Sequence, residues 1–371
     1  MRNIAVIGLG FGDEGKGMVT SSLVNRYLKD KTIVVRYSGG HQAGHTVNYN
    51  GISHTFANFG SGTLQDIPTY WSKACTVDPV GISNELKILV DKIDGYNIQL
   101  YINKDCPVTT PYDKFHNQNS KDNIEHGTCG IGFGSTIQRE EDGFHLHFSD
   151  LFNPTIHKLK LKQIAIYYGR HYIPIDEYME AVNSITNDMF FPNEIITPVD
   201  NIPDDFNIII FEGSQGLLLD KDIGFFPHVT RSNVGFKGLA QFEFIDEIYY
   251  VTRAYQTRHG NGPMTNESVL LRSIEYESNK EHKYQGKFRT GILDLDLLQY
   301  AINNDRRQTK FRKENLVITC LDQIKMFTLI KNRKTITYKS VETFVDAISE
   351  ALNIKNVYLS WSNNSEIIEK I

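Results

Sequence analysis

Asp13, Glu14, Lys16, His41 and His45 are the residues whose types and spacing can do phosphate chemistry. The first three lie in "GFGDEGKG" (Gly10–Gly17), where four residues separate Gly10 from Gly15-Lys16. That is P-loop spacing. Glycines there turn backbone N–H groups toward phosphate oxygens, and the lysine neutralises their charge. An ordinary P-loop follows the lysine with a Ser or Thr that holds Mg²⁺. Here the position is Gly17, which offers no ligand. Asp13 is placed to supply an oxygen to a metal, to take a proton, or to do both. Close packing of a strand on a helix explains glycines in such a loop, but not a lysine and two acids.

The histidines belong to "YSGGHQAGHTV" (Tyr37–Val47). A lone histidine is more often a satisfied structural residue than a catalyst. Two on one glycine-rich loop beside a phosphate loop favour a group that protonates or polarises an oxygen.

Both loops follow apolar runs, "IAVIGL" (Ile4–Leu9) and "TIVVRY" (Thr32–Tyr37), that read as buried strands. Met18–Leu28 between them reads as a helix, with Val19, Leu23 and Tyr27 on one face. A strand–loop–helix–strand unit begins a parallel sheet, and α/β proteins bind ligands at the C-terminal ends of such strands. Further strands are expected at Ile98–Ile102, Phe206–Phe211, Ile248–Tyr255, Leu316–Leu321 and Val357–Trp361. Helices are expected at Asn84–Ile93, Leu293–Asn303 and Val341–Leu352. The reading is α/β, one large domain over residues 1–371 with a mostly parallel central sheet, and helical and loop insertions richest at about 108–200.

With 40% hydrophobic and 22% charged residues, the 371-residue chain buries a real core. A net charge of −5 argues against nucleic acid or a membrane surface as a general partner. Cys75, Cys106, Cys129 and Cys320 are far apart, which suits free thiols rather than zinc ligands or disulfides. The start of the chain lacks signal-peptide character, and no apolar run approaches a membrane span; a cytoplasmic protein is expected.

Taken together, "GFGDEGKG" and "GGHQAGHT" resemble the adenylosuccinate synthetase family, whose pattern is G-D-E-G-K-G followed by G-G-H-N-A-G-H-T. "GTCGIGFG" (Gly127–Gly134), "FEGSQGLLLD" (Phe211–Asp220), "FPHVTRSN" (Phe226–Asn233), "TRHGNGP" (Thr257–Pro263) and "FRTGILD" (Phe288–Asp294) resemble later family motifs, in the family's order. The resemblance implies a Mg²⁺-dependent ligase that joins L-aspartate to C6 of IMP at the expense of GTP, working as a homodimer. It implies that a carboxylate removes the purine N1 proton, the 6-oxyanion attacks the γ-phosphate, and the amine of aspartate displaces the 6-phosphoryl group.

Carried over by motif, Asp13 is the base and a Mg²⁺ ligand, the Gly44 carbonyl is a second ligand, and His45 is the acid. Gly12, Glu14, Gly15, Lys16, Gly17, Gly44 and Thr46 would line the triphosphate. Gln42, Thr128, Gln215 and Thr230 would bind the substrate nucleotide. Lys287 and Arg289 would meet aspartate or the triphosphate, and Asp322 the base of the donor.

The chain departs from the family at several positions. Gln42 replaces an Asn, and Cys129 the second Thr of G-T-T-G. "TCLD" (Thr319–Asp322) stands for T-K-x-D, so the lysine stem that packs on guanine is missing and ATP or dATP becomes a possible donor. The family's cross-dimer arginine has no obvious counterpart, Arg139 being the nearest. A phage-associated branch of the family takes dGMP, shares the loosened donor site, and carries Ser in place of the loop Asp. Asp13 is kept here, which favours IMP over dGMP. A nucleotide-binding regulator with a decayed ligase site is the alternative of another class; a mere binder does not need His45.

Overall fold

The computed structural model describes residues 1–93, 98–121, 127–170, 172–187, 195–242, 244–267, 283–307, 312–362, 364 and 368–370. Parts of the insertion expected at 108–200, namely 122–126, 171 and 188–194, lie outside the described residues.

A ten-stranded sheet forms the centre. Its strands in chain order are β1 (Arg2–Gly8), β2 (Thr32–Arg36), β3 (Thr69–Trp71), β4 (Leu100–Asn103), β5 (Ile196–Val199), β6 (Ile208–Gly216), β7 (Glu247–Arg253), β8 (Lys313–Thr319), β9 (Asn356–Leu359) and β10 (Glu369–Lys370). They lie in the order β10-β9-β8-β7-β1-β6-β2-β3-β4-β5. Every pairing is parallel except that of β9 with β10. The mostly parallel α/β sheet expected from the sequence is present. The three-residue β3 and four-residue β5 are too short to stand out as patterns.

Alternation along β1 explains both faces of the sheet. Ala5 and Ile7 enter one apolar cluster with Leu316, Ile318, Leu298 and Phe344; Ile4 and Val6 enter another with Val19, Leu23 and Val317. Helix α1 (Lys16–Val24) is buried at every residue, which is why no polar stripe marks it. It ends four residues before Leu28, and Tyr27 packs on its cluster from beyond the helix end. Helices α2 (Pro79–Lys92), α3 (Pro111–Asn119), α4 (Phe133–Glu141), α5 (Pro154–Tyr167) and α6 (Asp176–Thr186) cover the β3–β5 end. Several form a third cluster with Trp71, Leu100 and Ile102. Helix α2 starts at Pro79, a favoured first-turn residue, five positions earlier than expected. Helices α7 (Leu295–Arg306) and α8 (Val341–Leu352) back the other half. Among the described residues no helix is long and apolar enough to cross a membrane.

The parallel register brings the C-terminal ends of β1, β2, β6 and β7 to one edge. The glycine loop after β1 is tied there by its carbonyls. Leu218 N–H donates to Gly10 O (3.0 Å), the Thr257 hydroxyl to Gly12 O (3.0 Å) and the Thr319 hydroxyl to Glu14 O (2.9 Å). Arg253 Nε–H donates to Asp13 O.

One buried acid fastens α7 behind this edge. The Asp305 carboxylate accepts from Phe236 N–H (2.6 Å) and the Tyr250 hydroxyl (2.7 Å). Burial pushes its carboxyl up to about 6, above the ordinary 3.8. The folded chain therefore binds this proton more tightly than the unfolded one. The stabilisation is full below the unfolded pKa and is lost as pH rises through about 6. Asp305→Asn removes that titration. Its stability relative to wild type should improve by roughly 2 kcal/mol between pH 4 and 7 in urea titrations, most of the shift at 1.36 kcal/mol per unit. A pH-independent difference would mean that Asp305 titrates in the fold as it does in the unfolded chain.

Candidate active site

Gly15 adopts the left-handed conformation (φ 85°) and caps α1, so the first helical residues, Lys16 and Gly17, point their N–H groups into the loop. The two acids of the loop part company. Glu14 is 3% exposed and folds inward: it accepts from Gly10 N–H, and its other oxygen lies 3.6 Å from Lys16 Nζ. Burial raises its carboxyl and the nearby lysine charge opposes that rise. Its side chain holds the loop and the lysine, so any hold on phosphate comes from its backbone. Asp13, at φ 58°, keeps a partly exposed carboxylate. Its Oδ2 lies 3.6 Å from His259 Nε2.

Gly17 has a steric explanation. A Cβ there would lie 2.6 Å from His45 Cβ and 2.7 Å from Ser61 Oγ. The P-loop hydroxyl is absent because His45 occupies its space.

His45 begins the hairpin His45–Tyr49/Ile52–Phe56. Its Nδ1 lies 2.6 Å from Glu212 Oε1, and its Nε2 lies 3.3 Å from the Ser214 carbonyl. A carboxylate only accepts, so Nδ1 carries a proton; the Ser214 carbonyl also only accepts, so Nε2 donates to it only when the ring is doubly protonated. Glu212 is completely buried in β6, directly opposite Arg36 of β2. It takes Ser61 N–H (3.1 Å) and the Ser61 hydroxyl, and its Oε2 is 3.8 Å from Arg36 Nη1. Burial works to raise the Glu212 carboxyl, but His45, Arg36 and Ser61 outweigh it and hold it at about 2. Burial drives the His45 imidazole the other way, below its ordinary value, with Glu212 opposing. An Nδ1–H thus faces the carboxylate, and burial works against a second proton on the ring. Arg36 also reaches Ala43 O (3.2 Å), so it fixes the histidine loop as well as the carboxylate.

His41 plays a different part. It is buried, with Nε2 3.0 Å from the Ile131 carbonyl. It thus ties its loop to the "GTCGIGFG" segment. Gln42 lies beside Gly39 and Gly40, and both its amide atoms are buried without a hydrogen-bond partner; Gln215 Oε1 is likewise buried and unbonded. Buried polar atoms without a protein partner are met by a water, an ion or a ligand. Gly44 is exposed, and the Thr46 hydroxyl meets Thr55 Oγ1 at 2.9 Å.

The remaining expected residues approach from three sides. Thr230 N–H donates to Leu219 O (2.8 Å), beside Gly12. Thr128 accepts from Asn117 Nδ2 (2.9 Å), so its hydroxyl already has a partner. Arg289 pairs across a strand from Arg258 and binds Glu267 (2.5 Å) and Gly262 O (2.8 Å). Lys287 flanks the same ribbon, its carbonyl accepting from Gly260 N–H. Asp322 follows β8; burial raises its carboxyl, with Arg253 opposing. It adjoins Gln323, which accepts from the Tyr255 hydroxyl that in turn binds Arg253. Arg139, the nearest counterpart of the family's cross-dimer arginine, faces inward instead: it is completely buried and donates to Asp113 (2.9 Å), Glu140 (2.7 Å) and the Val108 carbonyl (2.8 Å).

Glu212, Arg36, Ser61, Arg253 and His259 do not stand out in the sequence. The first two had a signal: each is the charged residue that breaks an apolar run. His259 stands where the similar family motif has Val.

Loop, helix N-terminus and buried His–Glu pair lie together at the C-terminal ends of parallel strands, the edge at which α/β folds bind ligands. The family model of adenylosuccinate synthetase matches residues 5–370, and the chain belongs to that family. It is similar to the adenylosuccinate synthetase of Psychromonas ingrahamii, 31% identical over 289 residues. That match covers 71% of this chain and 64% of the relative, so it spans a little under two thirds of that protein's length. The Shewanella oneidensis synthetase is 28% identical over 323 residues, 81% of this chain and 74% of its own. Among solved structures, a fully ligated adenylosuccinate synthetase from Plasmodium falciparum superposes with a TM-score of 0.80 at 17% identity, over 99% of both chains. The succinoaminodeoxyadenylate synthetase of cyanophage S-2L, bound to dGMP and dATP, gives 0.70 at 13% identity, over 100% of this chain and 95% of its own.

Gly17→Ala should push His45 and Ser61 away from Glu212. The expected cost is ~1–3 kcal/mol of stability, as for overpacked cores, read from the urea midpoint. An unchanged midpoint would show that the helix and the hairpin are not in tight contact.

Proposed function

We propose that the chain is a C–N ligase joining L-aspartate to C6 of IMP, driven by GTP, through a 6-phosphoryl intermediate. The observation that carries this reading is the division of labour between the loop acids: Glu14 is consumed by Lys16, while Asp13 keeps an accessible carboxylate beside the helix N-terminus. Asp13 takes the purine N1 proton. The 6-oxygen then attacks the γ-phosphorus and GDP leaves; the aspartate amine attacks C6 and phosphate leaves. Lys16 with the Gly15 and Gly17 N–H groups holds the triphosphate, and His45 Nε2 meets the transferring group. An arriving phosphate anion favours the imidazolium, whose second proton then faces the developing charge. Gln42, Gln215, Thr128 and Thr230 serve the substrate nucleotide, Arg289 and Lys287 the aspartate or triphosphate, and Asp322 the donor base.

The residues present fit Mg²⁺: the Asp13 carboxylate and the exposed Gly44 carbonyl are hard oxygen donors, and Gly17 supplies none. When bound, the ion would reduce repulsion between the oxyanion and the triphosphate. We take the enzyme as a cytoplasmic homodimer whose intersubunit cation is a residue other than Arg139.

A second reading, dGMP as acceptor with ATP or dATP as donor, is favoured by Cys320, which sits at φ 59° where the family motif has its base-packing lysine. Retention of Asp13 weighs for IMP. The test is ultraviolet spectroscopy of the purine with aspartate and Mg²⁺, for IMP or dGMP paired with GTP or ATP. The expected result is conversion of IMP. No conversion with any pair would leave a nucleotide-binding regulator.

Asp13→Asn should abolish turnover and leave the fold intact; near-normal turnover would remove Asp13 as the base. Glu212→Gln keeps the size of the side chain but not its charge. It should lower turnover by roughly two to four orders of magnitude, the worth of general acid–base catalysis. Wild-type rates in that variant would deny the His45–Glu212 pair a part in catalysis.

A further inference from the structure

We propose that Glu140, His145 and His147 form a binding site for a borderline divalent transition-metal ion, Zn²⁺ being the best match, separate from the glycine loop. Glu140 is in the last turn of α4. His145 and His147 stand two apart on the extended segment that follows, on the side opposite the buried Leu146. Glu140 Oε2 lies 2.8 Å from His145 Nδ1 and 3.3 Å from His147 Nε2, and the three atoms lie within 4.8 Å of one another. Zinc held at 2.0–2.2 Å by nitrogen and oxygen spaces its tetrahedral ligands about 3.4 Å apart. Shifts of a few tenths of an ångström at Glu140, with rotation of the exposed rings, complete that set.

The carboxylate is oriented in advance. Its other oxygen, Oε1, accepts from Arg139 Nη1 (2.7 Å) and Leu146 N–H (3.0 Å), so Oε2 is reserved for the histidines. Such outer contacts are what align a metal ligand. The backbone is also fixed: Val108 N–H donates to Leu146 O (2.8 Å), and Pro107 bridges His147. The His145 side chain is 53% exposed and that of His147 31%, which gives an entry path and room for a water as fourth ligand. Two imidazoles and one carboxylate suit zinc better than magnesium, which prefers oxygen donors. A bound ion would clamp the end of α4 to the 145–147 segment.

The competing account is a hydrogen-bonded trio that binds no metal. The full chain, stripped with chelator and kept in excess Mg²⁺, is titrated with ZnCl₂ by calorimetry. One site per chain is expected, weakened at least tenfold in His145→Ala, His147→Ala and Glu140→Gln. Zn²⁺ should also raise the melting temperature of the wild type and not that of His147→Ala. Because His145 is exposed, its variant keeps the fold, which circular dichroism checks. Absence of zinc binding, or binding equally tight in all three variants, would overturn the proposal. Neither result bears on the ligase reading, since no nucleotide is present.

Discussion

Everything in the site depends on keeping one anion, Glu212, in a place where water does not reach it. A buried carboxylate survives only if its charge and lone pairs are met by other groups. Arg36, from the facing position of β2, supplies the charge; Ser61 supplies two donors; His45 supplies a third. Those partners come from three separate stretches of chain. Satisfying the carboxylate therefore fixes β2, the Ser61 turn and the histidine hairpin against the end of β6 at once. The same contact orients His45, because a proton held on Nδ1 toward Glu212 turns Nε2 to the Ser214 side of the ring.

The glycine loop obeys this constraint. The close approach of α1 to His45 excludes any side chain at position 17, which removes the usual P-loop hydroxyl. Loss of that ligand and gain of the histidine are one geometric event. The two acids in the loop follow from it. One must hold the lysine in a buried setting, and Glu14 does so. The other must stand at the surface of the cleft, and Asp13 does so at a left-handed backbone angle supported by Arg253 on its carbonyl.

The strand–loop–helix–strand start of the fold was legible because long apolar runs and glycine spacing are local signals. Helix α8 was legible to the residue, since Phe344, Ile348 and Leu352 recur every four positions. Helix α1 was blurred at its end because it is buried all round. β3 and β5 are held by their neighbours in the sheet rather than by their own pattern. In the site, Asp13, Lys16 and His45 could be read from spacing. Glu212 and Arg36 could not be joined, for 176 residues separate them and only the β2–β6 register makes them neighbours. Arg139 misleads in sequence because a charged residue in a helix suggests a surface, whereas Asp113 and two backbone carbonyls hold it inside.

The most direct measurement of this account is the tautomer of His45 in the ligand-free protein. Two-bond proton–nitrogen correlation spectra of ¹⁵N-histidine-labelled protein at neutral pH report it, with His45→Ala identifying the signal. The account predicts a neutral ring protonated at Nδ1, its proton shifted downfield by the Glu212 carboxylate. A ring protonated at Nε2 alone, with Nδ1 bare, would contradict it.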